Sequence, residues 1–261
     1  MPNHITNRLT ITAKNLDNIL VEIKGEGEDS FIDFHKIVPM PEELKGTTSP
    51  ARIISQAEYD KETARINRGE LTEIEKNFGL SRGITENISE DLKKRFGSNN
   101  WYDWSLANWG TKWNAYNQHI NDNVIEFDTA WSTPFDVMVA LSKKYPDATF
   151  KVEYADEDIG SNTGWYVLQN GEVLESENFD GDKDGALEFA IDIKGDGYYL
   201  EDFLCEENEM DNFIRSCVKV AHKKGKLFVD YTPEVLGLLK ELALADEQYE
   251  RVSEIDKLLN K

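Results

Sequence analysis

Three stretches of the 261-residue chain hold side chains that could do chemistry. In YADEDIGSNTGWY, Asp156, Glu157 and Asp158 run into Gly160 and Gly164. Carboxylates on a glycine-bearing loop between two strands can converge on a cation or a donor-rich substrate, and loops carried by a sheet often hold function. A bulge with solvated acids is the competing reading, because no base can be placed beside them. In DGDKDGALEFAI, Asp180, Asp182 and Asp184 with Gly185 reproduce the start of a calcium loop, and Leu187 fits its apolar eighth position. The twelfth position is Ile191 where a bidentate glutamate is required, and EVLESENF before it reads as a strand. An EF-hand is therefore not expected; an acidic turn of weak cation affinity is. The third stretch, NNWYDWSLANWGTKWNAY, packs four of the six tryptophans into residues 99–116. Trp101, Trp104, Trp109, Lys112 and Trp113 are candidates for a partner or ligand surface, since aromatic patches mark interfaces and grooves. Pure core is the alternative for the same rings.

No set of residues reads as catalytic. His4, His35, His119 and His222 are scattered, and no Ser-His-Asp or Cys-His order can be assembled from them. There is no GxxxxGK[ST] motif, and the glycines do not follow a strand in GxGxxG spacing. Cys205 and Cys217 are too few for a disulfide framework, a four-thiolate zinc site or an iron–sulfur cluster. No cofactor is assigned.

These stretches sit on recognisable elements. HITNRLTITA alternates Ile5, Asn7, Leu9 and Ile11 as a strand, and NLDNILVEIKG follows as a short helix with Asn15 as its cap. FIDFHKIVPMP alternates again and predicts a second strand. Residues 42–98 are charged and poor in aromatics, and read as an insertion of two or three small helices. Asn100 caps a helix from Trp101, with Tyr102, Leu106 and Trp109 on one stripe and Gly110 as its stop; Trp101 and Trp104 fall on another side. KWNAYNQHI and VIEFDTAW flank NDN as a hairpin. Thr133 caps the helix of PFDVMVALSKKY, placing Phe135, Met138, Val139 and Leu141 inward. TFKVEYA is a further strand, and Asn170-Gly171 turns the hairpin of GWYVLQ and EVLES. An antiparallel sheet with helices on one face follows, the α+β class. From about residue 200, FIRSCVKVAHKKG and PEVLGLLKELALADEQYERVSEIDKLLNK predict a C-terminal helical unit around the strand-like KLFVDY. The expected division is residues 1–176, with the insertion at 42–98, and residues 177–261.

The blocks MPNHITNRLTI, NWGTKWNAY, FDTAWSTP and YADEDIGSNTG together resemble the YubB-type family of phage- and plasmid-borne proteins. The resemblance covers residues 1 to about 176 outside the insertion. It implies a ferredoxin-like domain, a mobile-element origin, and a role in element maintenance or in countering host defence; it implies no site. Thr133 stands where a second proline beside Pro134 is expected from the family.

Charge narrows the class of partner. The chain carries 29 basic and 50 acidic residues, a net charge of −21, so direct binding to nucleic acid is not expected. Residues 153–211 hold nineteen Asp and Glu against Lys183 and Lys194. Solvation, cation binding and mimicry of a polyanion remain open for that stretch. No apolar run approaches the ~20 residues of a membrane span, so a soluble, cytoplasmic protein is expected. The reading is a non-enzymatic accessory protein that binds a host or element-encoded protein through aromatic and acidic surfaces. An enzyme or small-ligand receptor with a pocket formed by the NWGTKW and YADEDIG loops is the alternative.

Overall fold

The computed structural model describes residues 3–72, 75–76, 79, 81–158, 160–179 and 183–194, followed by 236–237, 240, 244 and 249–259. β1 (His4–Thr12) buries Ile5, Asn7, Leu9 and Ile11, the period of two that places alternate side chains on one face. It pairs antiparallel with β3 (Val124–Ala130), from His4 opposite Ala130 to Thr10 opposite Val124. β2 (Tyr116–Asn121) pairs antiparallel with β3, and its register shifts between Tyr116 and His119. Asp122 at φ 53 turns this hairpin.

α1 (Leu16–Ile23) follows β1, and α6 (Phe135–Lys144) links β3 to β4 (Thr149–Asp156). The hairpin of β5 (Gly164–Gln169) and β6 (Glu172–Asn178) completes a six-stranded sheet in the order β2-β3-β1-β4-β5-β6. A β-α-β-β-α-β path with its first four strands in the order 2-3-1-4 is the ferredoxin-like arrangement. The chain is an α+β protein, as the alternation of its strands predicts.

Between α1 and β2 lie α2 (Phe34–Ile37), α3 (Gln56–Asn67), α4 (Glu86–Phe96) and α5 (Trp101–Trp109). α3 opens on a reciprocal capping box between Ser55 and Glu58. Backbone bridges from Thr47 to Arg82 and from Ile53 to Ile84 tie the two ends of this charged segment together.

Several local expectations are corrected. FIDFHKIVPMP forms α2 and a loop rather than a strand. Side chains take the bonds a neighbouring strand would have supplied: the Gln118 carbonyl accepts from Phe31 N and Ile32 N at 2.7 Å each, and Asp33 caps α2 by accepting from His35 N at 2.9 Å. The second strand of the sheet is therefore β2, which lies in the KWNAYNQHI arm of the expected hairpin. Asn15 precedes α1 without a side-chain capping bond. Pro134, not Thr133, occupies the cap position of α6. Val137, Met138 and Leu141 are buried, while Phe135, expected inward, is 38% exposed.

Contacts divide the chain into two compact units, Met1–Val152 with Val167–Glu175, and Glu153–Tyr166 with Ser176–Lys261. In the first, Phe34 packs edge-on against Trp109 and Phe127 at 5.8 and 6.1 Å between ring centroids. In the second, Gly164 meets the chain closely: a Cβ there would stand 2.5 Å from the Glu177 carbonyl oxygen. α7 (Lys183–Lys194) buries Ala186, Ala190, Ile191 and Ile193, and α8 (Tyr249–Leu259) buries Ile255. FIRSCVKVAHKKG, KLFVDY, Cys205 and Cys217 lie outside the described residues.

Candidate functional site: a tryptophan cleft

The site begins with the capping of α5. The Asn100 side chain accepts from Asp103 N at 2.9 Å, and Gly110 ends the helix at φ 74, a left-handed turn that glycine adopts without steric cost. Trp101 N has no partner within the helix, as for any first-turn amide, and donates to Thr47 Oγ1 at 3.0 Å. At the other end, Trp109 Nε1 donates to Val38 O at 2.9 Å. Both ends of α5 are thus sewn to the loop of residues 38–47, and a cleft of about 400 Å³ stays open between them.

Trp101, Trp109 and Trp113 line this cleft together with Met40. Its polar positions are His35, Lys45, Ser105 and Asn114. Asn114 is fixed on all sides: Oδ1 accepts from Phe34 N and Ala115 N at 2.9 Å, and Nδ2 donates to Asp33 Oδ1 at 2.8 Å. The Ser105 hydroxyl donates to Trp101 O at 2.8 Å. His35 stands edge-on to Trp109 at 4.9 Å, and burial holds its pKa below the ordinary value, against the pull of Asp33. Burial thus favours the neutral imidazole. Lys45 pairs with Glu42. Trp109, Ser105 and Asn114 are held by these hydrogen bonds, and the aromatic part of the lining suits apolar surface.

A second aromatic group adjoins the cleft through Trp113. Lys112 Nζ lies 4.6 Å from the Trp113 ring and 4.8 Å from the Trp131 ring. Trp131 is 40% exposed and meets Tyr102 edge-on at 6.0 Å, and Tyr102 in turn meets Trp101 at 5.7 Å.

The structure thus gathers Trp101, Trp109, Lys112 and Trp113 in one region. Trp104 is not part of its surface. It does not line the cleft but packs edge-on against Trp109, with ring centroids 5.5 Å apart, whereas Leu106, expected inward, is 38% exposed. The buried face of α5 is Trp104, Ser105 and Trp109, because the Thr47 and Val38 anchors fix the helix rotation. His35, Met40, Lys45, Asn114 and Trp131 were not singled out by the sequence. The one available signal was the proline-bracketed PMP at residues 39–41, which marks a loop but not what it faces.

The acidic candidates lie elsewhere. Asp156, in the second unit, is 5% exposed, and its carboxylate accepts from Asp158 N at 3.0 Å and Asn162 Nδ2 at 3.1 Å, so it holds its own turn. Glu157 and Asp158 are exposed. Asp180 and Asp182 lie outside the described residues, and Asp184 belongs to α7. A helix running from Lys183 to Lys194 removes the calcium-loop geometry from most of that motif. Among the described residues no three His, Cys, Asp or Glu side chains converge as a metal site. Among them, too, no helix is long and apolar enough to cross a membrane.

Fold and site together define a ferredoxin-like α+β protein with an aromatic cleft lined from α2, α5 and their flanking loops. Residues 109–195 match the family model described as the ferredoxin-like domain in Api92-like protein, a span that opens on the cleft residue Trp109. Among solved structures, the chain is similar to the crystal structure of a protein api92 from Yersinia pseudotuberculosis, with 11% identity and a TM-score of 0.38 over 68% of this chain and 98% of that one. No curated protein matches the sequence.

Proposed function

We propose that the protein is a non-enzymatic binding factor that receives an apolar or aromatic side chain of a partner protein in the tryptophan cleft. One observation carries this reading: three indoles and a methionine line a cleft of about 400 Å³ whose wall-forming loop is fixed at both ends of α5. Buried aromatic anchors in preformed pockets dominate the energetics of protein interfaces. The sequence resemblance supports a phage or plasmid accessory role in the cytoplasm of a bacterial host. The acidic stretch after residue 152 would contribute a second, electrostatic contact to such a partner.

The test is capture of the tagged full chain's partners from a nuclease-treated bacterial lysate, beside a Trp101→Ala/Trp113→Ala variant. A stoichiometric protein retained by the wild type and lost by the variant is the expected result. Equal capture by both, or none, overturns the reading. It would favour a small-molecule receptor at the same cleft, whose volume falls in the roughly 300–1,000 Å³ range of ligand sites.

A further inference from the structure

We propose that Lys112, held between Trp113 and Trp131, is a recognition site for a carboxylate, so that the cleft takes an acidic peptide segment with an apolar anchor; this rests on the cleft being a protein-binding site. Trp131 sits at φ 72, a left-handed conformation that bulky residues avoid. Such strain persists where the surroundings over-determine it, and it concentrates at binding sites. Here the surroundings do so. Trp131 N donates to Asn3 O at 2.9 Å. The buried Thr111 hydroxyl donates to Ala130 O at 2.7 Å and accepts from Ala130 N at 3.2 Å. The buried Thr129 hydroxyl donates to Ser132 O at 2.8 Å, and the Ser132 hydroxyl donates to Gly110 O. The outcome of this bracing is an exposed indole beside a lysine.

The lysine is the second observation. Two indole faces attract the Lys112 ammonium and restrict it, but a ring face leaves its N–H donors without a lone-pair acceptor. Among the described residues no carboxylate stands within ion-pair distance of it, in a chain with 50 acidic side chains. A carboxylate arriving with a partner would complete its coordination by a charge-assisted hydrogen bond. Net charge opposes an acidic segment, so the attraction is local to Lys112, and the opposition is weakest from its own part of the chain. Residues 1–152 carry 18 basic and 23 acidic side chains, a net of −5 against −21 overall, so most of the acidity lies after them. Because Trp113 belongs to both the cleft and the lysine site, the anchor and the carboxylate would be near neighbours in the bound segment.

A display library of random ten-residue peptides, selected on the immobilised full chain, tests this. Enriched peptides should carry Asp or Glu within two positions of an aromatic or large apolar residue. Replacing that acid by its amide should weaken binding about tenfold, the scale of a charge-assisted hydrogen bond. Lys112→Met should abolish the difference while circular dichroism is unchanged, and Lys112→Arg should retain it. Enrichment of the aromatic residue without the acid, or of Lys and Arg beside it, overturns the carboxylate site and leaves the protein-binding reading intact. Failure to enrich any peptide overturns both. Displacement of the selected peptide by a ten-residue oligothymidylate, with loss of that displacement in Lys112→Met, would overturn the carboxylate assignment in favour of phosphate.

Discussion

Trp109 Nε1 donates to the Val38 carbonyl at 2.9 Å, joining the last turn of α5 to a loop seventy-one residues earlier in the chain. Trp109 is 2% exposed while Val38 is half-buried, so the bond lies at the edge of the core, where the same residue lines the cleft. Trp109→Phe keeps an aromatic ring but removes the donor. Val38 is half-buried, so water can partly replace the lost donor and the bond itself is worth about 1 kcal/mol, to which the lost ring volume adds. Urea unfolding should show that loss for Trp109→Phe and a smaller one for Trp101→Ala, because Trp101 is half-buried and its backbone bond to Thr47 survives the change. Equal costs at the two positions would mean that the Val38 bond does not hold the cleft.

The strain at Trp131 predicts a separation of stability from binding. A non-glycine residue in the left-handed region costs about 1–2 kcal/mol, and glycine does not bear that cost. Trp131→Gly should therefore be more stable than Trp131→Ala by about 1 kcal/mol in thermal or urea unfolding. Both variants should lose affinity for the captured partner to the same extent, since both lack the ring. If Trp131→Gly and Trp131→Ala unfold alike, the left-handed conformation at φ 72 is not retained in solution.

The frame of the fold was legible in the sequence because it rests on local rules. β1 alternates, Asn100 and Gly110 delimit α5, and Asn170 and Gly171 at φ 50 and 80 turn the last hairpin, each through its own backbone preference. The cleft was half legible: an aromatic run announces itself, but which rings face outward does not. That depends on Val38 and Thr47, partners far away in sequence that set the rotation of α5 and turn Trp104 inward. The mistaken strand at residues 31–41 has the same origin. Gln118 and Asn114 satisfy its backbone from eighty residues away, and no periodicity within the segment reports that.

Acid should loosen the charged segment around α3 through Glu75. Its carboxylate is bound by Arg65 at 2.6 and 2.7 Å and accepts from Thr72 N at 2.8 Å. The Arg65 bonds first, and those from Thr72 second, bring its pKa from the ordinary 4.5 down to about 2. A folded-state value below the unfolded one means that the pairing stabilises fully above the ordinary value and is lost as pH falls towards the depressed one. The stability advantage of the wild type over Glu75→Gln should thus be constant above about pH 5 and shrink between about pH 4.5 and pH 2. Hydrogen exchange of the α3 amides in both proteins reads this directly. A difference that stays the same down to pH 2 would show that the charge on Glu75 is not what holds the segment.

Asn114 offers the sharpest charge test of the cleft wall. Its amide nitrogen donates to Asp33 Oδ1 at 2.8 Å, and the same Asp33 oxygen caps α2 through His35 N. Asn114→Asp replaces that donor by an oxygen, so two carboxylates face each other at hydrogen-bond distance and cannot both ionise without strong repulsion. Repulsion between the two carboxylates would make the folded variant bind a proton more readily than its unfolded chain does. Stability should accordingly be impaired at pH 7 and recover as the pH falls below about 5. Asn114→Ala, which strands the amides of Phe34 and Ala115, should cost about 1–3 kcal/mol at every pH. Melting curves of the two variants from pH 4 to 8 should therefore converge or cross, and parallel curves would show that Asp33 does not face residue 114 in solution.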